Sequence, residues 1–457
     1  MNTDSWWGED LLSRPARHKV WACGAGTVTY ERLRGEVAWH RRMLRQFGVG
    51  GCTTVALLGL PSFTQLWTLF ALWSLGAQPI LVPPRLAPAK RRTLIETLRP
   101  QFALTFGSAH LRRRSFSDEC EVLVRRLPDG RPAGTSHCVV QLSSGTTGLG
   151  KVIGRTPESL LAELERFARL PGMPGQDEPV LLLDSWAYSF GLIGGVLHAT
   201  GQGAPLVLPT SPSPDGPGTE PRVVIGTPQS FETLCDTPTT ALRALRCAIS
   251  GGELLHLAVF DAFSRRFGVR IGQVYGMTET GAIAADLSGR LVPPHVGTPL
   301  PGVRTRIVDG VLQVHLGQSP YVVGEASWHG GWLSTNDLVS RHPGTGELRL
   351  RGRLSGTEPP GDSHVDLVAI ERMLRAHRNV AEAVVVGSDT IDALVAGVDI
   401  TGAGLEAWCR RVLGHGHPPV RCFVVDTLPR TPNGKYVRSS QLVCKVDARH
   451  RHHGELM

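Results

Sequence analysis

Residues Thr53–Pro83 read TTVALLGLPSFTQLWTLFALWSLGAQPILVP and alternate between two kinds of secondary-structure pattern. Val55–Leu60 is a short apolar run that is typical of a buried strand. Pro61-Ser62 opens a longer apolar segment that predicts a helix to about Leu75, and Pro79–Val82 predicts a second strand. A strand, a helix and a strand in this order indicate a βαβ unit on a mostly parallel sheet.

The same alternation continues along the chain to a predicted strand at Arg270–Val274. After Val303, short strands separated by Asp-Gly and Gly turns are typical of β-hairpins. Ser355–Ser363 has the composition of a linker. We therefore predict an α/β fold with a large N-terminal domain, residues 1–353, of mostly parallel βαβ sheets. This domain includes a small β-rich subdomain at about 303–353, and residues 354–457 form a small, mobile α+β lid domain.

The net charge of +8 is carried mostly by arginine, as at Arg112–Arg114. Three interpretations are open: a solvated basic face, a nucleic-acid surface, or attraction of polyanionic small molecules or an acidic protein partner. Because no basic stripe is interleaved with aromatic residues, we predict no nucleic-acid partner.

Membrane and metal signals are weak in this sequence. The N-terminal MNTDSWWGEDLL is not a signal peptide, and Pro61, Gln65 and Gly76 interrupt the most apolar stretch, so we predict a cytoplasmic protein with no membrane span. Nine cysteines lie far apart without zinc-ligand spacing, which favours reduced and mostly buried thiols.

The loop Ser143–Lys151, SSGTTGLGK, follows the apolar run Cys138–Leu142. Small hydroxyl residues and glycines allow backbone N–H groups to approach an anion closely, and Lys151 adds a positive charge. The loop fits the G-x-x-x-x-G-K part of a P-loop, but Val152 stands where that motif needs Ser or Thr for magnesium. A phosphate-binding loop of another kind and a plain surface loop both remain open at this point.

Four further motifs follow in order: Tyr275-Gly276-Met277-Thr278-Glu279-Thr280 after the predicted strand, Thr335-Asn336-Asp337-Leu338, Gly352-Arg353, and Leu428–Lys435. In this order and spacing, with Thr29–Glu31 near the start and Ser250-Gly251-Gly252 before the tyrosine, the chain resembles the adenylate-forming superfamily. That superfamily comprises acyl-CoA synthetases, aryl-acid and amino-acid adenylation domains, and luciferases. The resemblance extends over nearly the whole chain.

The resemblance implies ATP and Mg²⁺ as cofactors and a small carboxylic acid as substrate. The implied catalytic residues are Lys435, Thr278 and Glu279, with Lys435 near the α-phosphate and the carboxylate, Thr278 near the α-phosphate, and Glu279 on Mg²⁺. The implied nucleotide-binding residues are Ser143, Ser144, Gly145, Thr146, Thr147, Gly148, Lys151, Gly251, Gly252, Tyr275, Gly276, Asp337 and Arg353. The implied acyl pocket contains Trp186, Tyr188, Ser189, Phe190, Gly191 and Met277.

The sequence also departs from the family pattern. Gly150 replaces the usual Pro, and Asn336 replaces the usual Gly. The loop Thr357–Asp362 has no Lys, although in the family this loop lines the pantetheine tunnel. Asp184 is offset from the aspartate that pairs with an α-amine, which argues against an α-amino acid. The aromatic residues near Tyr188 favour an aryl acid, with plain core packing as the alternative.

Three functions follow from these observations. The first is an acid–thiol ligase that forms an acyl-adenylate and passes the acyl group to CoA or to the phosphopantetheine of an acyl carrier protein. The second is an adenylate-forming ligase that uses an amine or another nucleophile. The third is a non-catalytic nucleotide-binding relative. Intact Lys435, Glu279 and Asp337 argue against the third.

Overall fold

The computed structural model describes residues 6–107, 116, 118–143, 150–209, 219–324, 327–354, 365–387, 391–414, 418–431 and 435–438. These residues form two compact units. The first comprises described residues of Met1–Pro293 and Ser319–Ala326, and the second comprises those of Pro294–Gln318 and Ser327–Met457. The predicted domain boundary after residue 353 stays a prediction.

The first unit contains two sheets of mixed but mainly parallel strands. Its strands are β1 (Val20–Cys23), β2 (Thr27–Thr29), β3 (Thr54–Gly59), β4 (Gln78–Leu81), β5 (Phe102–Phe106), β6 (Val122–Arg126), β7 (Val139–Leu142), β8 (Val152–Arg155), β9 (Val180–Leu182), β10 (Leu206–Val207), β11 (Val223–Gly226), β12 (Cys247–Gly251), β13 (Ile271–Met277) and β14 (Gly281–Asp286). One sheet has the order β6-β5-β3-β4-β7-β8, and the other runs β14-β13-β12-β11-β9-β10-β1-β2. All internal neighbours are parallel, and antiparallel pairs occur only at the ends.

The helices of this unit are α1 (Glu9–Ser13), α2 (Tyr30–Gln46), α3 (Phe63–Ser74), α4 (Pro88–Leu98), α5 (Pro157–Ala168), α6 (His198–Gln202), α7 (Pro228–Asp236) and α8 (Leu257–Phe267). Helix α3 begins where the sequence predicts, because the Ser62 hydroxyl accepts a hydrogen bond from the Gln65 N–H group. Every residue of α3 from Phe63 to Trp73 is buried, which explains why the segment is mostly apolar. The predicted α/β class is therefore confirmed.

Two local predictions differ from the structure. The strand predicted to end at Val274 continues to Met277, because its pairing with β14 continues to Met277 opposite Gly281. The predicted apolar helix at 190–199 begins as a π-helix, Gly191–Leu197, before α6. Glycines at 191, 194 and 195 leave room for this wider turn.

The second unit contains an antiparallel sheet and a small α+β region. Its strands are β15 (His295–Pro299), β16 (Thr305–Val308), β17 (Val311–His315), β18 (Trp328–His329), β19 (Trp332–Arg341), β20 (Leu348–Arg353), β21 (Val380–Gly387), β22 (Ile391–Gly397) and β23 (Val420–Val424). The first sheet has the order β16-β17-β19-β20-β15, with β18 beside β19. Strands β21, β22 and β23 pack against α9 (Leu367–Arg375) and α10 (Gly402–Leu413) around one apolar core.

Two features bear on the predictions from composition. None of the described helices is both long and apolar enough to cross a membrane. The eight cysteines in the described part of the chain are free thiols, of which four are buried: Cys23, Cys247, Cys409 and Cys422. Cysteine burial is therefore less general than the sequence suggests.

Candidate active site

The two ends of the predicted phosphate loop are held together at the ends of β7 and β8. The Ser143 N–H group donates to the Lys151 carbonyl over 2.9 Å, and the Lys151 N–H group donates to the Ser143 hydroxyl over 3.1 Å. Gly150 has φ +83°, a value that the proline usual in the family cannot adopt. The remaining predicted loop residues lie outside the described part of the chain: Ser144, Gly145, Thr146, Thr147 and Gly148.

The motif at 275–280 forms a tight hairpin between β13 and β14. The Thr280 N–H group donates to the Met277 carbonyl over 3.2 Å, which closes the turn. Gly281 follows with φ +72°, as expected for a short hairpin that ends in a left-handed residue. Gly276 also cannot be replaced without a clash, since a Cβ atom there would lie 2.3 Å from the Gly281 carbonyl oxygen. The turn thus carries Thr278 and Glu279 between two paired strands.

Lys151 and Glu279 meet in the first unit. Their Nζ and Oε1 atoms lie 3.7 Å apart, and the Glu279 side chain is 4% exposed. The same Nζ atom lies 3.4 Å from the Tyr321 hydroxyl and 5.4 Å from the centre of its ring. Tyr321 reaches this position because it pairs with Ile153 of β8 in an isolated bridge. The sequence reasoning missed Tyr321, and no motif signals it.

Glu279 is also the predicted Mg²⁺ ligand. No group of three or more His, Cys, Asp or Glu side chains suited to a metal occurs among the residues that the structure describes. Mg²⁺ is commonly bound by one or two carboxylates together with substrate phosphates. A carboxylate, the Thr278 hydroxyl and the Lys151 cation are suitable partners for a metal–triphosphate complex.

The predicted acyl-pocket residues follow β9 and lead into the π-helix. Trp186 is 3% exposed and donates from Nε1 to the Gln65 side chain over 2.7 Å. The backbone beside it is fixed by the Gln141 side chain, which donates to the Ala187 carbonyl over 3.0 Å. Gly191 is required here, because a Cβ atom would lie 2.5 Å from the Ser185 carbonyl oxygen. Gln141 is another contributor that the sequence reasoning did not find.

Phe190 and Gly251 are in direct contact. A Cβ atom at Gly251 would lie 2.6 Å from the Phe190 ring, so the ring lies against the Ser250-Gly251-Gly252 segment. The same ring fills the space beside Gly194. Gly252 has φ +89°, which favours glycine at that position as well. The structure therefore brings together two predicted segments whose contacting residues, Phe190 and Gly251, are 61 positions apart in the sequence.

Tyr188 and Ser189 lie between Trp186 and Phe190. Ser189 is buried, and Tyr188 is partly buried. Burial raises the pKa of Tyr188 well above its ordinary value, and the nearby Asp184 carboxylate raises it further. Tyr188 is therefore a neutral phenol at physiological pH. Asp184 accepts a hydrogen bond from the Ser185 N–H group over 2.9 Å.

Asp337 and Arg353 lie opposite each other on β19 and β20 of the second unit. The Arg353 Nη1 and Asp337 Oδ1 atoms are 3.6 Å apart, and the side chains are 53% and 13% exposed. Asn336 has φ +60°, a conformation that asparagine tolerates better than most residues, so it can replace the usual glycine. The predicted ribose ligands thus form a pair.

Lys435 lies at the edge of the three-stranded region of the second unit. Its backbone carbonyl accepts from the Thr431 N–H group over 2.7 Å, and Arg430 pairs with Tyr436 in a β-bridge. The Tyr436 hydroxyl donates to Glu382 over 2.9 Å, which ties this turn to β21. Pro432–Gly434 and the predicted acceptor loop Thr357–Asp362 lie outside the described residues.

Comparison with known proteins places these features in a family. The model of the AMP-binding enzyme family matches residues 11–325, and the model of the AMP-binding enzyme C-terminal domain matches residues 369–435. The p-hydroxybenzoic acid–AMP ligase FadD22 of Mycobacterium tuberculosis is 26% identical over 91% of the chain, and the benzoate–CoA ligase of Thauera aromatica is 28% identical over 66%. The chain covers 65% of the length of each of these two relatives.

Among solved structures, the chain is similar to the anthranilate CoA ligase AuaEII in complex with anthranoyl-AMP. The TM-score is 0.79 at 20% identity, over 99% of both chains. At this identity the likeness establishes the fold.

Proposed function

We propose that this chain, which belongs to the AMP-binding enzyme family, activates a small carboxylic acid with ATP and passes the acyl group to a thiol. The carrying observation is the cluster of Lys151, Glu279 and Thr278 in the first unit. The Lys151 cation meets the buried Glu279 carboxylate where the end of the phosphate loop approaches the hairpin turn, and Thr278 precedes Glu279 in that turn.

In the proposed first step, a carboxylate oxygen of the acid attacks the α-phosphorus of ATP. A bond forms between that oxygen and phosphorus, the bond to the β-phosphate oxygen breaks, and pyrophosphate leaves. Two anions approach each other, so positive charge is the main catalytic device. Lys151 neutralises the outer phosphates, Thr278 donates to the α-phosphate, and Lys435 supplies charge at the developing adenylate.

Glu279 holds Mg²⁺ in this proposal. When bound, the ion neutralises phosphate charge and favours departure of pyrophosphate. Asp337 and Arg353 bind the ribose hydroxyls, and the ring face of Tyr275 stacks on adenine. In the second step a thiol attacks the acyl carbon, the bond to the AMP oxygen breaks, and AMP leaves.

The proposed acid is an aryl acid. Support comes from the Phe190 ring, which lies against Gly251, and from the neutral phenol of Tyr188 two residues earlier, because a flat apolar ring and one polar group suit an aryl acid. Asp184 is offset from the position of the aspartate that pairs with an α-amine in the family, which disfavours recognition of an α-amino acid. The named relatives act, by their names, on p-hydroxybenzoic acid and benzoate.

The proposed acceptor is CoA, as the name of the benzoate–CoA ligase suggests. A second candidate ends at the acyl-adenylate, which then passes to a carrier protein or another nucleophile. It is favoured by the relative with 91% coverage of this chain, which is named as an AMP ligase. The missing Lys in Thr357–Asp362 is a second reason to test it.

The test is pyrophosphate release with ATP and Mg²⁺ across a panel of acids, with and without CoA. Benzoate and cyclohexanecarboxylate are similar in size, so comparing them tests whether the pocket requires a planar ring. Phenylalanine tests whether the pocket accepts an α-amine. We expect release with benzoate-type acids, and an acyl-CoA product when CoA is present. Adenylate without thioester would favour the second candidate. No acid-dependent release from the wild-type protein would contradict both.

A further inference from the structure

A buried ion pair connects β8 with α5, close to the proposed active site. The Arg155 Nη2 atom lies 2.8 Å from the Glu163 Oε2 atom, and both side chains are 4% exposed. Arg155 also donates from Nε to the Ser159 hydroxyl over 3.1 Å, which fixes the plane of the guanidinium. The pair is therefore well defined, although neither residue belongs to a motif described above.

The second oxygen of Glu163 has a different partner. Glu163 Oε1 accepts a hydrogen bond from the Ala282 N–H group over 2.9 Å in a buried setting. The carboxylate also lies against Gly281, where a Cβ atom would be only 2.1 Å from Oε2. Gly281 and Ala282 are the first residues of β14 and directly follow the turn that carries Thr278 and Glu279.

Stability alone does not account for this arrangement. Taking two charges out of water costs several kcal/mol per ion, and apolar residues of similar volume often serve stability as well or better. An apolar pair cannot accept a hydrogen bond from the Ala282 N–H group. The Glu163 carboxylate accepts this bond while Arg155 of β8 holds it in position. The two oxygens of the carboxylate perform these two tasks separately.

We infer that Glu163, held by Arg155, is a positioning residue that fixes the Thr278–Glu279 turn relative to β8; this inference rests on the proposed function. Strand β8 begins directly after Lys151 and ends at Arg155. Lys151 contacts Glu279 in the turn, and Arg155 holds Glu163, which contacts Ala282 just after the turn. Lys151 and Arg155 are separated by about 13 Å along an extended chain. Two connections at that spacing determine both the position and the tilt of the turn.

A third charged group limits which variants are informative. Arg166 of α5 is also partly buried; burial lowers its pKa, while the charge of Glu163 acts in the opposite direction. Replacing Glu163 alone therefore leaves two cations without this carboxylate. The test therefore includes a double variant that also removes one of these cations, Arg155.

The single variants are Glu163→Gln and Arg155→Met. In Glu163→Gln, a single amide oxygen replaces two carboxylate oxygens, so the Arg155 guanidinium and the Ala282 N–H group compete for it. The amide NH₂ group then lies against whichever of these two donors is left without an acceptor. In the double variant Arg155→Met/Glu163→Gln, the oxygen is free for Ala282. The matched control is Glu165→Gln, which removes an exposed ion pair with Arg169 from the same helix.

We measure kcat and KM for acid-dependent pyrophosphate release, together with amide hydrogen exchange of residues 276–284. Glu163→Gln should lower kcat about 10- to 100-fold, because a displacement of about 1 Å has this effect on positioned groups. KM for the acid should stay within about twofold. Hydrogen exchange of the turn should become faster, and the double variant should recover most of both losses.

Binding of Mg²⁺–ATP, measured by calorimetry without any acid, gives a readout independent of turnover. We expect weaker binding in Glu163→Gln and recovery in the double variant. If all three variants fold, and their kcat, turn exchange and Mg²⁺–ATP affinity match those of Glu165→Gln, the inference is overturned. If the double variant is more stable than the wild type but equally impaired as Glu163→Gln, it is also overturned. Failure of the wild type itself to bind nucleotide would instead refute the proposed function.

Discussion

The Nζ atom of Lys151 and the Oε1 atom of Glu279 lie 3.7 Å apart, although the two residues are 128 positions apart in the sequence. Lys151 precedes β8, and Glu279 lies in the turn between β13 and β14. The lysine is partly exposed, whereas the carboxylate is almost fully buried. The pair therefore joins the predicted phosphate loop to the predicted metal ligand.

Lys151→Met should weaken Mg²⁺–ATP binding and lower stability. The buried Glu279 carboxylate loses its cation, and leaving a buried acceptor without its partner costs about 1–3 kcal/mol, or more when the group is charged. Equilibrium urea unfolding and calorimetric titration with Mg²⁺–ATP check the two effects separately. Tyr321→Phe is the matched control, since it keeps the ring beside Lys151 and removes only the hydroxyl; it should affect stability far less. Unchanged nucleotide affinity in Lys151→Met would contradict its proposed role.

Lys435→Ala should lower the adenylation rate about 10²- to 10³-fold, the usual effect of removing one charge-stabilising donor. Thioester formation from pre-made acyl-adenylate should be affected less, because the carboxylate no longer has to approach the negatively charged α-phosphate in that step. Rapid-quench measurement of both half-reactions checks this. Arg410→Ala, which removes an exposed cation from α10 of the same unit, serves as the control. Pyrophosphate release close to the wild-type rate would refute the assignment.

Gly251→Ala should displace the Phe190 ring, because the added methyl would lie 2.6 Å from it. Overpacking of this kind costs about 1–3 kcal/mol and should lower kcat/KM for the acid more than for ATP. The double variant Gly251→Ala/Phe190→Leu makes room for the methyl and should recover stability. Thermal unfolding and kinetics with varied acid test the pair. Gly251→Ala with a normal KM for every acid would argue against a pocket at Phe190.

His198 should make stability depend on pH between about 4 and 6.5. It is 2% exposed, and burial lowers its pKa to about 4, whereas the unfolded side chain titrates near 6.5. The unfolded state therefore binds more protons in this range, so stability is complete above pH 6.5 and declines as the pH falls. Between pH 7 and 5 the loss from this residue is about 2 kcal/mol.

Urea unfolding at several pH values checks this expectation. His198→Gln should flatten the dependence between pH 7 and 5, whereas His18→Gln, at an exposed position, should leave it unchanged. The wild-type Nε2 atom lies 3.1 Å from the Pro174 carbonyl oxygen, a bond that the glutamine amide can also donate. Equal pH slopes in all three proteins would exclude His198 as the source.

Much of the fold follows from local patterns in the sequence. The run at 53–83 specifies β3, α3 and β4 because Ser62 caps the helix and apolar residues surround it. The order of the motifs is enough to identify the family. Each motif contains residue types that its own backbone or chemistry requires, such as a glycine at a positive φ. Asn336 is an example: it stands in β19 at φ +60°, where the family usually has a glycine.

Other features depend on residues that are distant in the chain, so local patterns could not reveal them. Tyr321 meets Lys151 only because an isolated bridge brings it to β8, and Phe190 meets Gly251 only when the π-helix follows β9. Arg155 and Glu163 appear in the sequence as ordinary surface charges, and only the packing of β14 against α5 gives Glu163 a backbone partner. The sequence alone determined the main helices and strands, the family and the types of side chain at the site. The tertiary structure decided which of those side chains are in contact, because contacts between distant segments depend on how whole helices and strands pack.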